Sequence, residues 1–289
     1  MKKRTLPVAA IGARPNGLQS DVSPQAMERW QRGIRATAGT DNNVISIMDV
    51  IGEDWMGQGI TAKRVSGALR AIGDKPVVVE INSPGGDYFE GLAIYNVLRE
   101  HTQDVTVKVV GIAASAASVI AMAGDTIMVP RAGFLMIHNV WVVAIGNKDD
   151  LRAVADGLEP FDAVAAEIYA ARSGMNIKEI VKMLDAETWI GGDDAVAMGM
   201  ADALLPSDEV SKARNELVEG PGAAMRAIDA ALAKGDRMPR SERRRLINEL
   251  TGKPSAAVEG DTPRAVEVVV DDGATGLRFA LARLKLATA

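Results

Sequence analysis

The sequence predicts an α/β fold in which strand, tight turn and helix repeat around a parallel sheet. Residues 77–81 are a β-branched run that ends in Asn82-Ser83-Pro84-Gly85-Gly86, a strong turn signal. An amphipathic stretch follows, with Phe89, Leu92, Ala93, Tyr95, Asn96, Val97 and Leu98 giving a broad apolar face. A second unit repeats the pattern: residues 105–110 form a strand, Gly111 closes it, and the small-residue run 113–123 forms a helix. Units of this kind in series need crossover connections, and crossovers make the strands parallel.

The remaining elements take their places around these two units. Residues 1–43 read as an N-terminal extension holding an amphipathic piece at 24–36, flanked by Gly, Pro, Asn and Asp. The first core strand is expected at 44–50 and the first core helix at 61–72. An apolar strand over 135–146 carries His138 and runs into a Gly-Asn turn. A long helix over 148–173 has Leu151, Val154, Leu158, Phe161, Ala165 and Ile168 at near-helical spacing, with Pro160 expected to kink it or divide it in two. The core is expected to span residues 44–205.

Beyond residue 206 the composition changes. Residues 212–237 are alanine-rich and charged, 237–245 form a basic cluster, 251–263 are a Gly, Pro, Ser and Ala linker, and 275–286 an amphipathic helix. This tail, residues 206–289, is expected to be partly disordered and helical, unable to fold without a partner. The arginine cluster reads as a solvated face rather than a nucleic-acid site.

Composition narrows the chemistry. With 289 residues, 47% of them hydrophobic, and a net charge of -5, the chain can bury a sizeable core and carries no overall basicity that would point to nucleic acid. It has no cysteine, which excludes a thiol nucleophile, a thiolate metal site and a disulfide framework, and is compatible with a reducing compartment. No apolar run reaches the length of a membrane span, and the N-terminus does not read as a signal peptide. Two histidines, neither in a His-Glu-x-x-His helix, argue against a zinc enzyme, and no Gly-x-x-x-x-Gly-Lys-Ser/Thr loop is present in the core. No metal or organic cofactor is called for.

Ser115 lies in Gly-Ile-Ala-Ala-Ser-Ala-Ala-Ser (residues 111–118), and His138 follows 23 residues later. A serine hydroxyl is a poor nucleophile unless a base lies beside it, so a small-residue serine turn and a scarce histidine suggest acyl transfer. Ser118, one helical turn on, is the rival nucleophile and is expected to pack or bond within its own helix. His101 sits in a polar stretch at the end of a helix and reads as surface structure. Glycines where a strand hands over to a helix leave backbone amides able to stabilise an oxyanion.

Four blocks now carry a family resemblance: Ile-Asn-Ser-Pro-Gly-Gly (residues 81–86), the serine block (111–118), Met-Ile-His-Asn (136–139) and Asp-Ala-Val-Ala-Met-Gly-Met-Ala-Asp (194–202). In that order they resemble the signature blocks of the Clp protease proteolytic subunit family. The resemblance implies the ClpP/crotonase-like fold, with the helix over 148–173 as its protruding handle. It implies Ser115 as nucleophile, His138 as general base, and the amides of Gly86 and Ala116 as the oxyanion hole. For the third triad member the register points to Glu187, where the family carries aspartate. Asp185, two residues earlier and on the same face of an extended segment, is the alternative.

What the resemblance implies beyond the core is a serine endopeptidase in a closed homo-oligomeric ring, heptameric or a double ring, with a separate ATPase unfoldase as a partner. The tail segment Ser-Glu-Arg-Arg-Arg-Leu-Ile-Asn-Glu-Leu-Thr-Gly (241–252) is similar in style to the Clp-related head maturation proteases of tailed bacteriophages. That implies scaffold or capsid proteins as substrates, and a location in the bacterial cytoplasm or the phage prohead. Two other classes share the fold: a catalytically silent ring or scaffold protein, and a crotonase-type coenzyme A enzyme, which needs no serine-histidine pair.

Overall fold

A computed structural model of the chain describes residues 6, 7, 9, 19–30, 34–36, 43–53, 59–206, 210–212, 245, 246 and 249. The chain divides into two units, residues 1–219 and 220–289. The expected linker at 251–263 and the helix at 275–286 lie outside the described residues, as does most of the arginine cluster. Within the second unit, Arg245 and Glu249 stand 3.7 Å apart, one helical turn apart in sequence.

The first unit begins with β1 (Gln19–Ser20), α1 (Pro24–Arg29) and β2 (Ile34–Ala36). Then come β3 (Val44–Ile47), α2 (Ala62–Ile72), β4 (Val77–Ser83), α3 (Tyr88–Arg99), β5 (Val105–Ala114), α4 (Ala116–Ala121) and β6 (Thr126–Val129). After β7 (Phe134–Ile137) and β8 (Val142–Val143) follow α5 (Lys148–Ser173), α6 (Ile177–Asp185), β9 (Thr188–Gly191), α7 (Gly192–Ala197), β10 (Ala203–Leu204) and β11 (Val210–Lys212). The central sheet runs β10-β6-β5-β4-β3, with β7 on the far end of β5 and β9 on β7. Every pairing in it is parallel except β7 with β9.

Parallel strands are covered on both faces and so read as apolar runs. Val77, Val79 and Ile81 of β4 and Val105, Val107 and Val109 of β5 are all buried. Helix α3 buries Leu92, Ile94, Tyr95 and Leu98 against them. Its start is set by Asp87, whose carboxylate accepts from the amides of Phe89 and Glu90. Helix α2 starts at Thr61, whose hydroxyl accepts from Arg64 N–H, and stops at Gly73.

β5 is the pivot of the sheet. Its first half, Thr106–Lys108, pairs with β6, while its second half, Ile112–Ala114, pairs with β7. The sheet therefore changes partner along one strand, and β4, β5 and β7 end together. A crevice at the carboxyl ends of parallel strands, where the order switches, is where such sheets bind ligands. Pairing with β7 also holds residues 113–115 out of the helix expected at 113–123, which starts at Ala116.

Two other expectations are revised. The strand expected over 135–146 is interrupted at residues 138–141, where Val140 N–H donates to the Asp162 carboxylate instead of to a neighbouring strand. Helix α5 runs unbroken from Lys148 to Ser173 through Pro160. Pro160 is exposed, as is Asp156, whose carbonyl loses its helical partner to the proline, so that carbonyl can be hydrated. The buried residues of α5 begin only at Phe161.

Candidate active site

Ser115 stands between the end of β5 and the start of α4, with φ 55 and ψ -127. A side chain in this left-handed region costs on the order of 1–3 kcal/mol and persists only where its surroundings impose it. Here they do. Ser115 N–H donates to the Met136 carbonyl at 2.9 Å, and the Ser115 carbonyl accepts from Ser118 N–H at 2.9 Å. The turn lifts the hydroxyl off the strand, a geometry resembling the strained nucleophile turns of α/β-hydrolases.

His138 follows β7 directly, and its Nε2 lies 2.7 Å from Ser115 Oγ. The parallel register pairs Ala114 with Met136, so the two chains leave the sheet side by side at the residues that carry the pair. Burial pushes the His138 pKa down to about 4, so the imidazole is neutral near pH 7 and able to accept the serine proton.

Ser118 is fully buried and committed elsewhere. Its hydroxyl lies 2.6 Å from the Ser115 carbonyl, 2.8 Å from the Met136 carbonyl and 2.8 Å from Tyr169 Oη. It ties the first turn of α4 to β7 and α5, and so holds the Ser115 turn from behind. His101 lies on the surface, its Nε2 2.8 Å from the Lys75 carbonyl.

The two glycines at the end of β4 fit against this turn. A Cβ on Gly85 (φ 90) would meet the Ala114 carbonyl at 2.6 Å, Ser115 Cβ at 2.7 Å and Ala116 N at 3.1 Å. A Cβ on Gly86 (φ 143) would meet the Ile51 carbonyl at 2.3 Å. Ile51 N–H donates to the Gly85 carbonyl and its carbonyl accepts from Asp87 N–H, which leaves the polar groups of Gly86 free of Ile51. Among the described residues, neither Gly86 N–H nor Ala116 N–H donates within the chain. Ala116 opens a helix, where the first amides have no partner of their own. The strand-end glycines thus bring a donor-rich backbone against the serine.

Neither expected carboxylate is hydrogen-bonded to His138. Glu187, at φ 48, bonds Trp189 and Ser23, and Arg29 lies near enough to attract its charge. Burial still raises its pKa. Asp185 accepts from the Asn139 side chain at 2.8 Å. Among the described residues no cluster of three or more His, Asp or Glu could hold a metal ion.

Residues 43–208, more than half of the chain, match the family model described as Clp protease. The chain belongs to the Clp protease family. It is 31% identical over 140 residues to the ATP-dependent Clp protease proteolytic subunit 1 of Protochlamydia amoebophila, covering 47% of this chain and 68% of that one. It is also 31% identical over 142 residues to the corresponding subunit of Ligilactobacillus salivarius, covering 48% of this chain and 72% of the relative. Among solved structures, a point mutant of ClpP1 from Listeria monocytogenes aligns over 57% of this chain and 92% of its own, at 22% identity and a TM-score of 0.49.

Two features of this Clp-family site escaped sequence reasoning. Asp162 of α5 reaches the segment after His138 and accepts from Val140 N–H at 2.6 Å. Burial, then the neighbouring carboxylates of Asp185 and Glu159, raise its pKa against that bond. In sequence it is one acid beside Phe161 on a long helix, with no sign of its target. The other is the stretch around Ser20, upstream of the family match, whose hydroxyl sits 3.3 Å from the Gly86 carbonyl and 3.1 Å from the Trp141 carbonyl. No motif marks it.

Proposed function

We propose that the chain is a serine endopeptidase in which Ser115 attacks the peptide carbonyl. The observation that carries this is the 2.7 Å contact between His138 Nε2 and an Oγ held on a strained turn. His138 takes the hydroxyl proton as the C–O bond forms, then delivers it to the leaving amine as the C–N bond breaks. Water deacylates the serine by the same route. Gly86 N–H and Ala116 N–H hold the tetrahedral oxyanion, and one such donor is worth about 3 kcal/mol in related hydrolases. Glu187, on the family register, or Asp185, two residues earlier, is the acid that orients His138, reached only after side-chain rearrangement from the contacts described above.

The finer reading is a head maturation protease that trims scaffold or capsid protein in a prohead. Its support is the tail beyond the 43–208 match, with its arginine cluster and the 241–252 segment. A homo-oligomeric ring, heptameric or doubled, is supported by family membership and by apolar side chains left exposed: Phe134 on β7, and Ile177 and Val181 one turn apart on α6. Work with a separate ATPase unfoldase is the family's alternative setting. No described helix is long and apolar enough to cross a membrane, and the proposed location is the bacterial cytoplasm or the prohead.

The test is mass spectrometry after treatment with a fluorophosphonate. A single adduct on Ser115, absent from Ser115→Ala and slowed by His138→Ala, is expected. Absence of an adduct from the assembled wild-type protein overturns the enzyme reading in favour of a silent ring protein.

A further inference from the structure

The edge of β8 lies four residues beyond His138, and an extended peptide pairing with it would pass the Ser115–His138 pair. Proteins take up extended segments in this way, main chain to main chain along an exposed strand edge. That edge is occupied here by the chain itself. β1 pairs with β8 antiparallel, Gln19 opposite Val143 and Ser20 opposite Val142.

Ser20 fixes the segment on its other side as well. Its hydroxyl bridges the carbonyls of Trp141 and Gly86 and accepts from Tyr88 N–H at 3.1 Å, one of the unpartnered amides at the start of α3. Gly86 adjoins the glycine that touches Ser115, and Trp141 lies three residues past His138. Ser20 therefore spans the two backbone stretches that flank the pair, and it is 4% exposed.

The segment is anchored downstream. Val22, Ala26 and Trp30 form a buried cluster with Ile112, Ala114 and Met136, the strand ends that lead to Ser115 and His138. Trp30 Nε1 donates to the Asn82 carbonyl at 3.0 Å, and Ser23 bonds the Glu187 carboxylate. Among the described residues β1 pairs with β8 at two positions, a ladder too short to be stable alone. A firm anchor and a weak strand make a segment able to peel off β8 while α1 stays docked.

We infer that residues 19–21 occupy the substrate edge of this active site as a built-in strand, and that a peptide substrate binds only when this strand leaves β8. The inference rests on the peptidase reading. It names an extended peptide as the occupant and implies a subsite that accepts a small hydroxyl side chain where Ser20 now sits.

A reversible lock tests it on the full-length chain. The protein has no cysteine, so Ser20→Cys with Val142→Cys introduces the only thiols, at directly opposed strand positions whose spacing suits a disulfide. Two probes are read in the oxidised and reduced forms: a small fluorophosphonate on Ser115 and cleavage of a fluorogenic peptide about six residues long. The expected result is labelling in both forms, with peptide cleavage at least about tenfold faster after reduction. Ser20→Ala alone, which keeps the fold but removes the three polar contacts, is expected to lower KM relative to wild type with kcat little changed. Equal peptide cleavage in both redox forms overturns the strand model and leaves the peptidase standing, whereas labelling without cleavage after reduction overturns both. No labelling of either form overturns both.

Discussion

Acidification is the most direct perturbation of the Ser115–His138 pair, because burial holds the imidazole neutral, with a pKa pushed from 6.5 down to about 4. That depression corresponds to about 3 kcal/mol in favour of the neutral ring. Between the two values the unfolded chain binds a proton that the folded chain refuses, so unfolding free energy rises with pH through that window. The contribution is fully present above about pH 6.5 and is lost as the pH falls toward about 4. Asp162 and Glu187 act with the opposite sign, since burial raises both. The folded state keeps their protons longer, and their contribution declines as pH climbs past the ordinary carboxylate range. The difference between wild type and His138→Gln isolates the histidine. The assay is the rate of fluorophosphonate labelling of Ser115 across about pH 3.5 to 8, with urea unfolding of both proteins at each pH. Labelling is expected to be half-maximal near pH 4 and level from about 5.5 upward. A midpoint near 6.5 or above would refute the reasoning, because it requires an imidazolium that is solvated or paired with a carboxylate in the working protein, against the burial that lowers the value here.

Gly85→Ala is expected to cut labelling by about 100-fold, since its Cβ would press on Ser115 Cβ and the Ala114 carbonyl at 2.7 and 2.6 Å, and small displacements of reacting groups have effects of that size. An unchanged rate would show that the turn yields without moving the hydroxyl. Glu187→Gln is expected to leave the rate of fluorophosphonate labelling within about threefold, because in the closed form the carboxylate bonds Ser23 and Trp189 rather than His138; a loss nearer 10⁴-fold would mark it as an acid already engaged with His138. Asp162→Ala should lower kcat about tenfold by releasing Val140 N–H, and Asp162→Asn, which keeps an acceptor there, should restore most of it. Equal losses in the two variants would assign Asp162 a role through its charge.

Much of the sheet is legible in the chain because its strands are buried on both faces and so read as uninterrupted apolar runs, as at Val77, Val79 and Ile81. The long helix is legible from its near-helical apolar spacing, and the structure closes it at the expected ends with a capping box at Asn147 and Asp150 and Gly174 at φ 76. Where pairing partners decide, local pattern fails. β5 outlasts its expected end because Ile112–Ala114 find β7, and the run after Ile137 leaves the sheet because Asp162 takes the Val140 amide. Neither partner lies near in sequence, and propensity has no term for it.

The serine and histidine are prominent for a different reason: they are scarce or set among small residues, and the ends of β5 and β7 carry them to one place. Carboxylates are plentiful, and each takes the partner that packs beside it. Glu187 occupies the triad register, but α1 docks on β9, with Arg29 over the Trp189 ring at 4.4 Å and Ser23 within bonding reach of the acid. Those contacts come from residues 23–29, upstream of the family match at 43–208. Ser20 at the β8 edge lies three residues before that stretch and is likewise upstream of the match. Displacing β1 and loosening α1 would therefore open the peptide edge and free Glu187 in one motion, so a rise in the midpoint of the labelling profile on removal of Ser23 bonding, as in Ser23→Ala, would tie the missing acid to the built-in strand.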